Sequence, residues 1–190
     1  MTEATYPPTA QALPQTWDDR VADDRLCKQE TLACLYAAHA AQLYRYFWMR
    51  TRSQALAEDL VSETFLAALR SLPGYCPSRG TISAWLFGIA RHALTRQVGK
   101  LDRAGARPIG EAQAPAPPVS LDERIDLWQA VARLPDLEQE AVALRFGAGQ
   151  TYPEIARIMG LQATHVGVLL YRALQRLRTW LDDEAGGDVE

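Results

Sequence analysis

Apolar residues recur at three- and four-residue steps through most of this chain, and no segment alternates in the two-residue rhythm of a half-buried strand. From Asp24 to Leu72 the pattern is helical, and Leu32, Leu35, Tyr36, Leu43 and Phe47 mark a first helix. A second, about Ser53 to Leu72, places Leu60, Val61, Thr64, Phe65, Ala68, Leu69 and Leu72 on one stripe. Ser53 and Glu58 suit its start, and Pro73-Gly74 stops it. Tyr75 to Thr81 reads as a loop. Helix resumes at about Ile82 and runs to Val98, ending at Gly99, with Trp85, Leu86, Ile89, Ala93 and Leu94 facing inward. Arg91, His92, Arg96 and Lys100 fall on its other faces, toward the C-terminal half.

Periodicity vanishes between Asp102 and Ser120, where Gly105, Pro108, Gly110, Pro115, Pro117 and Pro118 make an extended linker between two domains. Beyond it the spacing predicts helices from Leu121 to Leu134 and from Leu137 to Phe146, stopped by Pro135 and by Gly147-Ala148-Gly149. Thr151 with Glu154 three residues on is a capping box, and Pro153 is tolerated in a first turn. The short helix they open ends at Gly160, a natural C′ glycine. A longer one follows, Ala163 to Leu181, with Val166, Leu169, Leu170, Ala173, Leu174 and Leu177 as its core face. This is a helix-turn-helix, whose second helix usually enters the DNA major groove. The fold class is therefore all-α, with two small helical domains joined by a flexible Pro-rich linker. The expected layout is a disordered tail (1–21), a helical domain (22–100), the linker (101–120), a helix-turn-helix domain (121–181) and a disordered acidic tail (182–190).

Composition narrows the function classes. The 190 residues are 48% hydrophobic and 23% charged, as in an ordinary soluble globular protein. No apolar run approaches the roughly 18 residues of a membrane span, and residues 1–15 have no apolar signal region. Cytoplasm is the expected location, without membrane insertion. Cys27, Cys34 and Cys76 form no C-x-x-C pair, and His39, His92 and His165 are scattered, so neither metal nor other cofactor is expected. There is no phosphate loop and no Gly-x-Ser-x-Gly, so the reading is not an enzyme. The net charge of -3 hides an asymmetry. Residues 35–100 hold eight basic and three acidic side chains, whereas residues 134–190 hold five basic and nine acidic. One half is suited to a polyanion and the other is not.

Motifs then give the candidate chemistry a family. The run Tyr75-Cys76-Pro77-Ser78-Arg79-Gly80-Thr81-Ile82-Ser83-Ala84-Trp85-Leu86-Phe87-Gly88-Ile89-Ala90-Arg91 resembles the signature of extracytoplasmic-function sigma factors, the dissociable initiation subunits of bacterial RNA polymerase. Glu58 to Phe65 resembles the helix before it. Leu134-Pro135, Leu144-Arg145-Phe146, Tyr152 to Ala156, Met159-Gly160-Leu161 and Tyr171-Arg172-Ala173 resemble that family's region four. The resemblance covers roughly Cys34 to Leu181. It implies core RNA polymerase and promoter DNA as partners, and an anti-sigma factor as a possible third. Asp59, Glu63 and Thr64 would meet the polymerase. Tyr75, Arg79, Thr81 and Ser83 would surround a flipped base of the minus-ten element, offering a ring, a cation and two hydroxyls. Arg91, His92, Arg96 and Lys100 would hold the strand beside it. Trp85 fits the motif, but its apolar flanks also suit the core.

The chain departs from the family in two places. The family usually has Asn and, four residues later, Asp where His92 and Arg96 stand. Its recognition helix commonly reads Thr-Val-Lys-Ser-Arg-Leu, against His165-Val166-Gly167-Val168-Leu169-Leu170 here. Gly167, Val168 and Leu169 donate no side-chain hydrogen bond, and a bidentate Arg–guanine contact supplies about 1–3 kcal/mol of discrimination. Gln162, Thr164, His165 and Arg172 remain as polar candidates for a weakly read minus-thirty-five element. The Val168-Leu169 surface is then a candidate protein interface. The alternative is a sigma-like adaptor that binds polymerase or a regulatory partner with little or no upstream DNA reading.

Overall fold

The computed structural model describes residues 28–103 and 121–186. Among them are seven α-helices: α1 (Lys28–Thr51), α2 (Gln54–Ser71), α3 (Ile82–Arg103), α4 (Leu121–Arg133), α5 (Asp136–Val142), α6 (Tyr152–Met159) and α7 (Ala163–Gly186). The expected 1–21 tail and nearly all of the expected linker lie outside the described residues.

Local chemistry sets the boundaries. The α1–α2 corner is sharp because Arg52 takes a left-handed conformation, φ 55°. Ser53 then caps α2, its hydroxyl accepting the Leu56 amide at 3.3 Å. Two 3-10 turns, Leu72–Gly74 and Pro77–Arg79, carry the chain to Thr81. The Thr81 hydroxyl accepts the Ala84 amide at 3.2 Å and so caps α3. In the second half, the Thr151 amide donates to the Glu154 carboxylate at 2.9 Å, opening α6, and Gly160 closes it in the left-handed region at φ 70°.

Helices α1 to α3 bury Leu43, Tyr46, Phe47, Leu60, Leu86 and Phe87, and the segment from α4 to α7 buries Leu144, Ile155, Val166 and Leu170. Full burial of each large apolar side chain contributes about 1.5–3 kcal/mol, which is why the stripes read from the sequence persist as the core, one cluster running through both helical groups.

Four expectations are corrected. Helix α3 continues past Gly99 to Arg103, and α7 runs past Leu181 to Gly186, so 182–186 are helical rather than a disordered tail. An Arg178–Asp182 ion pair one turn apart (3.7 Å) and the Arg133 guanidinium over the Trp180 ring (4.7 Å) support that extension of α7. The helix expected from Leu137 to Phe146 gives way after Val142 to a π-helical turn, Ala143–Gly147. Leu174 is 48% exposed rather than core, because α4 and α5 cover the neighbouring stripe of Val166, Leu170, Ala173 and Leu177 instead.

The two helical groups are also not held apart. Helix α1 packs on the π-helical turn, and α3 packs on α6. Gly147 makes this approach possible: a β-carbon there would lie 3.2 Å from the Tyr46 Cα and 2.8 Å from the Met49 sulfur. Trp48 and Trp128 meet edge to face at 5.2 Å, and the Arg52 guanidinium lies over both rings, at 5.0 and 5.1 Å.

Candidate nucleic-acid interface

The Tyr75–Thr81 loop and the first turns of α3 enclose a half-open cavity of about 400 Å³. Its walls include Tyr75, Arg79, Thr81, Trp85 and His92. Tyr75 is fixed at both ends: its hydroxyl donates to the Gly80 carbonyl at 3.0 Å, and its ring tilts against Trp85 at 5.3 Å. Gly80 has φ 144°, a conformation L side chains rarely adopt, and this lets the loop turn into α3. Cys76 sits on the rim, and hydrogen bonds with Ser78 hold its thiol below the ordinary range. A half-buried aromatic pair beside Arg79 and His92 can stack on a base and draw in its phosphate.

Tyr75, Arg79, Thr81 and His92 thus line one cavity, with Trp85 as a further wall, whereas Ser83, expected beside Tyr75, Arg79 and Thr81, is not on that wall. Ser83 lies one turn along. Its hydroxyl accepts from the Gln150 amide at 2.9 Å, while the Thr81 hydroxyl donates to Glu154 at 2.8 Å. Arg91, Arg96 and Lys100 follow down α3. Arg96 pairs with Glu63 at 2.6 Å, and the Arg91 guanidinium is 3.9 Å from Glu140.

On α2, Asp59 is exposed and Glu63 is partly so. Thr64 is different. It is fully buried, with its hydroxyl donating to the Leu60 carbonyl at 2.7 Å, so it packs α2 and presents nothing to a partner. Gln162, just before α7, and Thr164, His165 and Arg172 on it are all exposed. The Val168-Leu169 surface is half of what was expected, since Val168 is 44% exposed and Leu169 only 6%. Tyr171, 65% exposed, takes its place beside Val168.

Sequence reasoning missed the polar hub between the two groups. Glu140 is buried, yet it accepts from the Tyr46 hydroxyl at 2.6 Å and pairs with Arg50 at 3.0 Å. Arg50 also donates to Asp136 and Gln139. Burial opposes the Arg50 charge, but Glu140 and Asp136 more than offset it and raise its pKa. Burial and Glu140 together push the Tyr46 phenol well up. Arg52, by contrast, has no carboxylate and donates to the Trp128 carbonyl, and burial brings it down to about 10. Arg157, from α6, lines the cavity mouth against Gly80. Only the opposite charges of the two halves pointed toward any of this.

Among the described residues, no helix is long and apolar enough to cross a membrane. Sigma-70 region 2 matches residues 35–104, and sigma-70 region 4 matches residues 124–177. The ECF RNA polymerase sigma factor SigM of Bacillus subtilis (strain 168) is 30% identical over 156 residues, 78% of this chain and 93% of that protein. BldN of Streptomyces coelicolor, also an ECF RNA polymerase sigma factor, is 34% identical over 160 residues, 80% of this chain but 60% of BldN. The solved sigma factor RpoE of Bartonella quintana, in complex with the anti-sigma factor NepR, superposes with a TM-score of 0.64 at 27% identity, covering 82% of this chain and 96% of that one. Two regions in the expected order, together with a relative matched over nearly its whole length, favour a sigma factor over an adaptor: the chain belongs to the extracytoplasmic-function group of the sigma-70 family of RNA polymerase sigma factors.

Proposed function

We propose that this chain binds core RNA polymerase in the cytoplasm, directs it to promoters and opens the minus-ten element, leaving catalysis to the polymerase. The observation that carries this reading is the Tyr75–Trp85 aromatic pair in a cavity flanked by Arg79 and His92, within the part matched by sigma-70 region 2. A base leaves the duplex at a cost of a few kcal/mol, and stacking with edge hydrogen bonds offsets it. Tyr75 and Trp85 supply the stack, and Thr81 and His92 the edge contacts. Arg79, Arg91, Arg96 and Lys100 supply sequence-blind phosphate attraction. Asp59 and Glu63 carry the polymerase contact, without Thr64.

Upstream reading falls to Gln162, Thr164 and His165 around the exposed start of α7 and to Arg172 further along it. With Gly167 and Val168 between them, this contact is weak and tolerant of sequence. The exposed Val168 and Tyr171 favour a protein partner on the same helix, an anti-sigma factor being the class seen with RpoE of B. quintana. Run-off transcription with core polymerase tests the whole reading. Tyr75→Ala should abolish opening, seen as loss of permanganate-reactive thymines, while Asp59→Ala weakens holoenzyme assembly. Scrambling the upstream element should cost little initiation, and a strong loss overturns the relaxed-reading claim.

A further inference from the structure

The exposed side of α7 has an apolar centre and a polar frame. Thr164, His165, Val168, Tyr171 and Arg172 share that side at three- and four-residue steps, while Val166, Leu169 and Leu170 turn into the core. Val168 has Thr164 one turn before it and Arg172 one turn after it. The charge around them is local. Residues 155–181 carry four arginines and no acid, although the longer segment 134–190 is acidic. Glu138 lies 3.3 Å from the Arg176 guanidinium and Asp182 lies 3.7 Å from that of Arg178. Arg172, on the Val168 side, has no carboxylate partner among the described residues. A basic helix face with an aliphatic side chain at its middle suits a polyanion that also presents apolar groups.

We propose that Val168 reads the C5-methyl group of a thymine in the major groove of the upstream element, with Arg172 on a nearby phosphate. The proposal rests on the reading of α7 as the DNA-facing helix. In that groove thymine differs from the other bases by its methyl group, and an aliphatic side chain recognises it by apolar contact, without a hydrogen bond. Gly167 and Val168 donate none from their side chains, so the lost donors change what this helix reads rather than ending its reading. The preference is shallow: it favours thymine against Val168 and leaves the other positions tolerant, in keeping with weak upstream recognition. Exposure of Val168 and Tyr171 suits a protein partner too, but the acid-free surroundings favour DNA at Val168, and a protein seated there would displace it.

The test uses holoenzyme at one salt concentration on a promoter where the wild type starts transcripts. A second duplex carries deoxyuridine in place of every upstream thymine; it pairs identically and lacks only the methyl groups. Deoxyuridine should weaken wild-type binding by about fourfold for one methyl contact, the effect of exposing one methyl-sized group. This comparison involves no variant, so no folding defect can mimic it. Val168→Ser, at an exposed site, should bind the two duplexes alike, because a short hydroxyl side chain gains nothing from the methyl. Arg172→Ala should weaken both duplexes and keep their ratio, as a phosphate contact does. Equal wild-type affinity for the two duplexes, with the upstream DNA still protected from hydroxyl radicals, overturns methyl reading; the α7–DNA contact then stands, and Val168 is left to a protein partner. An undiminished deoxyuridine penalty in Val168→Ser overturns the assignment to Val168. Mapped promoters whose upstream elements hold no thymine overturn the proposal as well. If the upstream DNA is not protected at all, the reading of α7 as the DNA-facing helix has itself failed and the proposal falls with it.

Discussion

Gly167 is the residue where α7 departs most from a DNA-reading helix, and replacing it separates two consequences. It is the fifth residue of α7 and half-buried, with ordinary helical neighbours. A β-carbon there meets only the Tyr152 ring edge, at 3.8 Å, which is comfortable van der Waals contact. Gly167→Ala therefore pays no steric penalty and recovers the helix-interior cost of glycine, about 0.5–1 kcal/mol. For a chain of this size that raises the melting temperature by about 1–4 °C. Gly167→Lys adds a cation beside Thr164, His165 and Val168 as well. If this face meets phosphates, the slope of log affinity against log salt steepens by about 0.9 for one added contact. The tightening should be alike on matched and scrambled upstream sequences, because a lysine on phosphate reads no base. The assays are calorimetric melting and holoenzyme–promoter titrations across a salt series. A lower melting temperature for Gly167→Ala would refute the helical account of this position. An unchanged salt slope for Gly167→Lys would refute the claim that the start of α7 faces DNA.

Two further outcomes concern the joint between the halves. Tyr46→Phe removes the hydroxyl donor to Glu140 and leaves a buried carboxylate short of one bond; urea titration should show a loss of about 1.5–3 kcal/mol, the range for hydrogen bonds to charged groups. For Glu154, burial raises the carboxyl pKa, but bonds from Thr151 and Thr81 outweigh it, so the folded-state value lies below 4.5. Its stabilisation is therefore complete above that pH and is lost as pH falls through the lower folded-state value. Glu154→Gln should flatten the acid limb of a stability–pH curve and leave the neutral region's pH dependence as it was; an unaltered acid limb contradicts the assignment.

Nearly all of the helical layout was readable because it rests on local rules. Ser53, Thr151 and Gly160 mark boundaries through bonds that reach no more than four residues along the chain, and Pro73 marks one through the amide hydrogen it lacks. The misses are long-range. Thr64 reads as polar and available, but it is buried because a hydroxyl can return its proton to the carbonyl four residues back. Leu174 carries the right spacing for a core that the neighbouring helices do not extend over. Trp85 was ambiguous between core and site, and it serves at the boundary of both. Gly147 looks like a helix stop, and its tight approach to Tyr46 depends on a residue about a hundred positions away. The Glu140 hub is the clearest case. Acidic residues on a short helix predict a solvated face, and only docking against Arg50 and Arg91 turns that face inward. Charge partition alone hinted at this, since the two halves differ in sign where they come to touch.

The account's central claim is that this chain confers promoter-specific initiation through the Tyr75–Trp85 cavity. The most direct measurement is run-off transcription by core polymerase on a genomic promoter library, with wild type and Tyr75→Ala/Trp85→Ala compared at equal holoenzyme. The account predicts discrete start sites sharing a minus-ten element with wild type, and their loss in the double variant despite intact polymerase binding. Equal transcript patterns for the two proteins, or no transcripts above core polymerase alone, would contradict it.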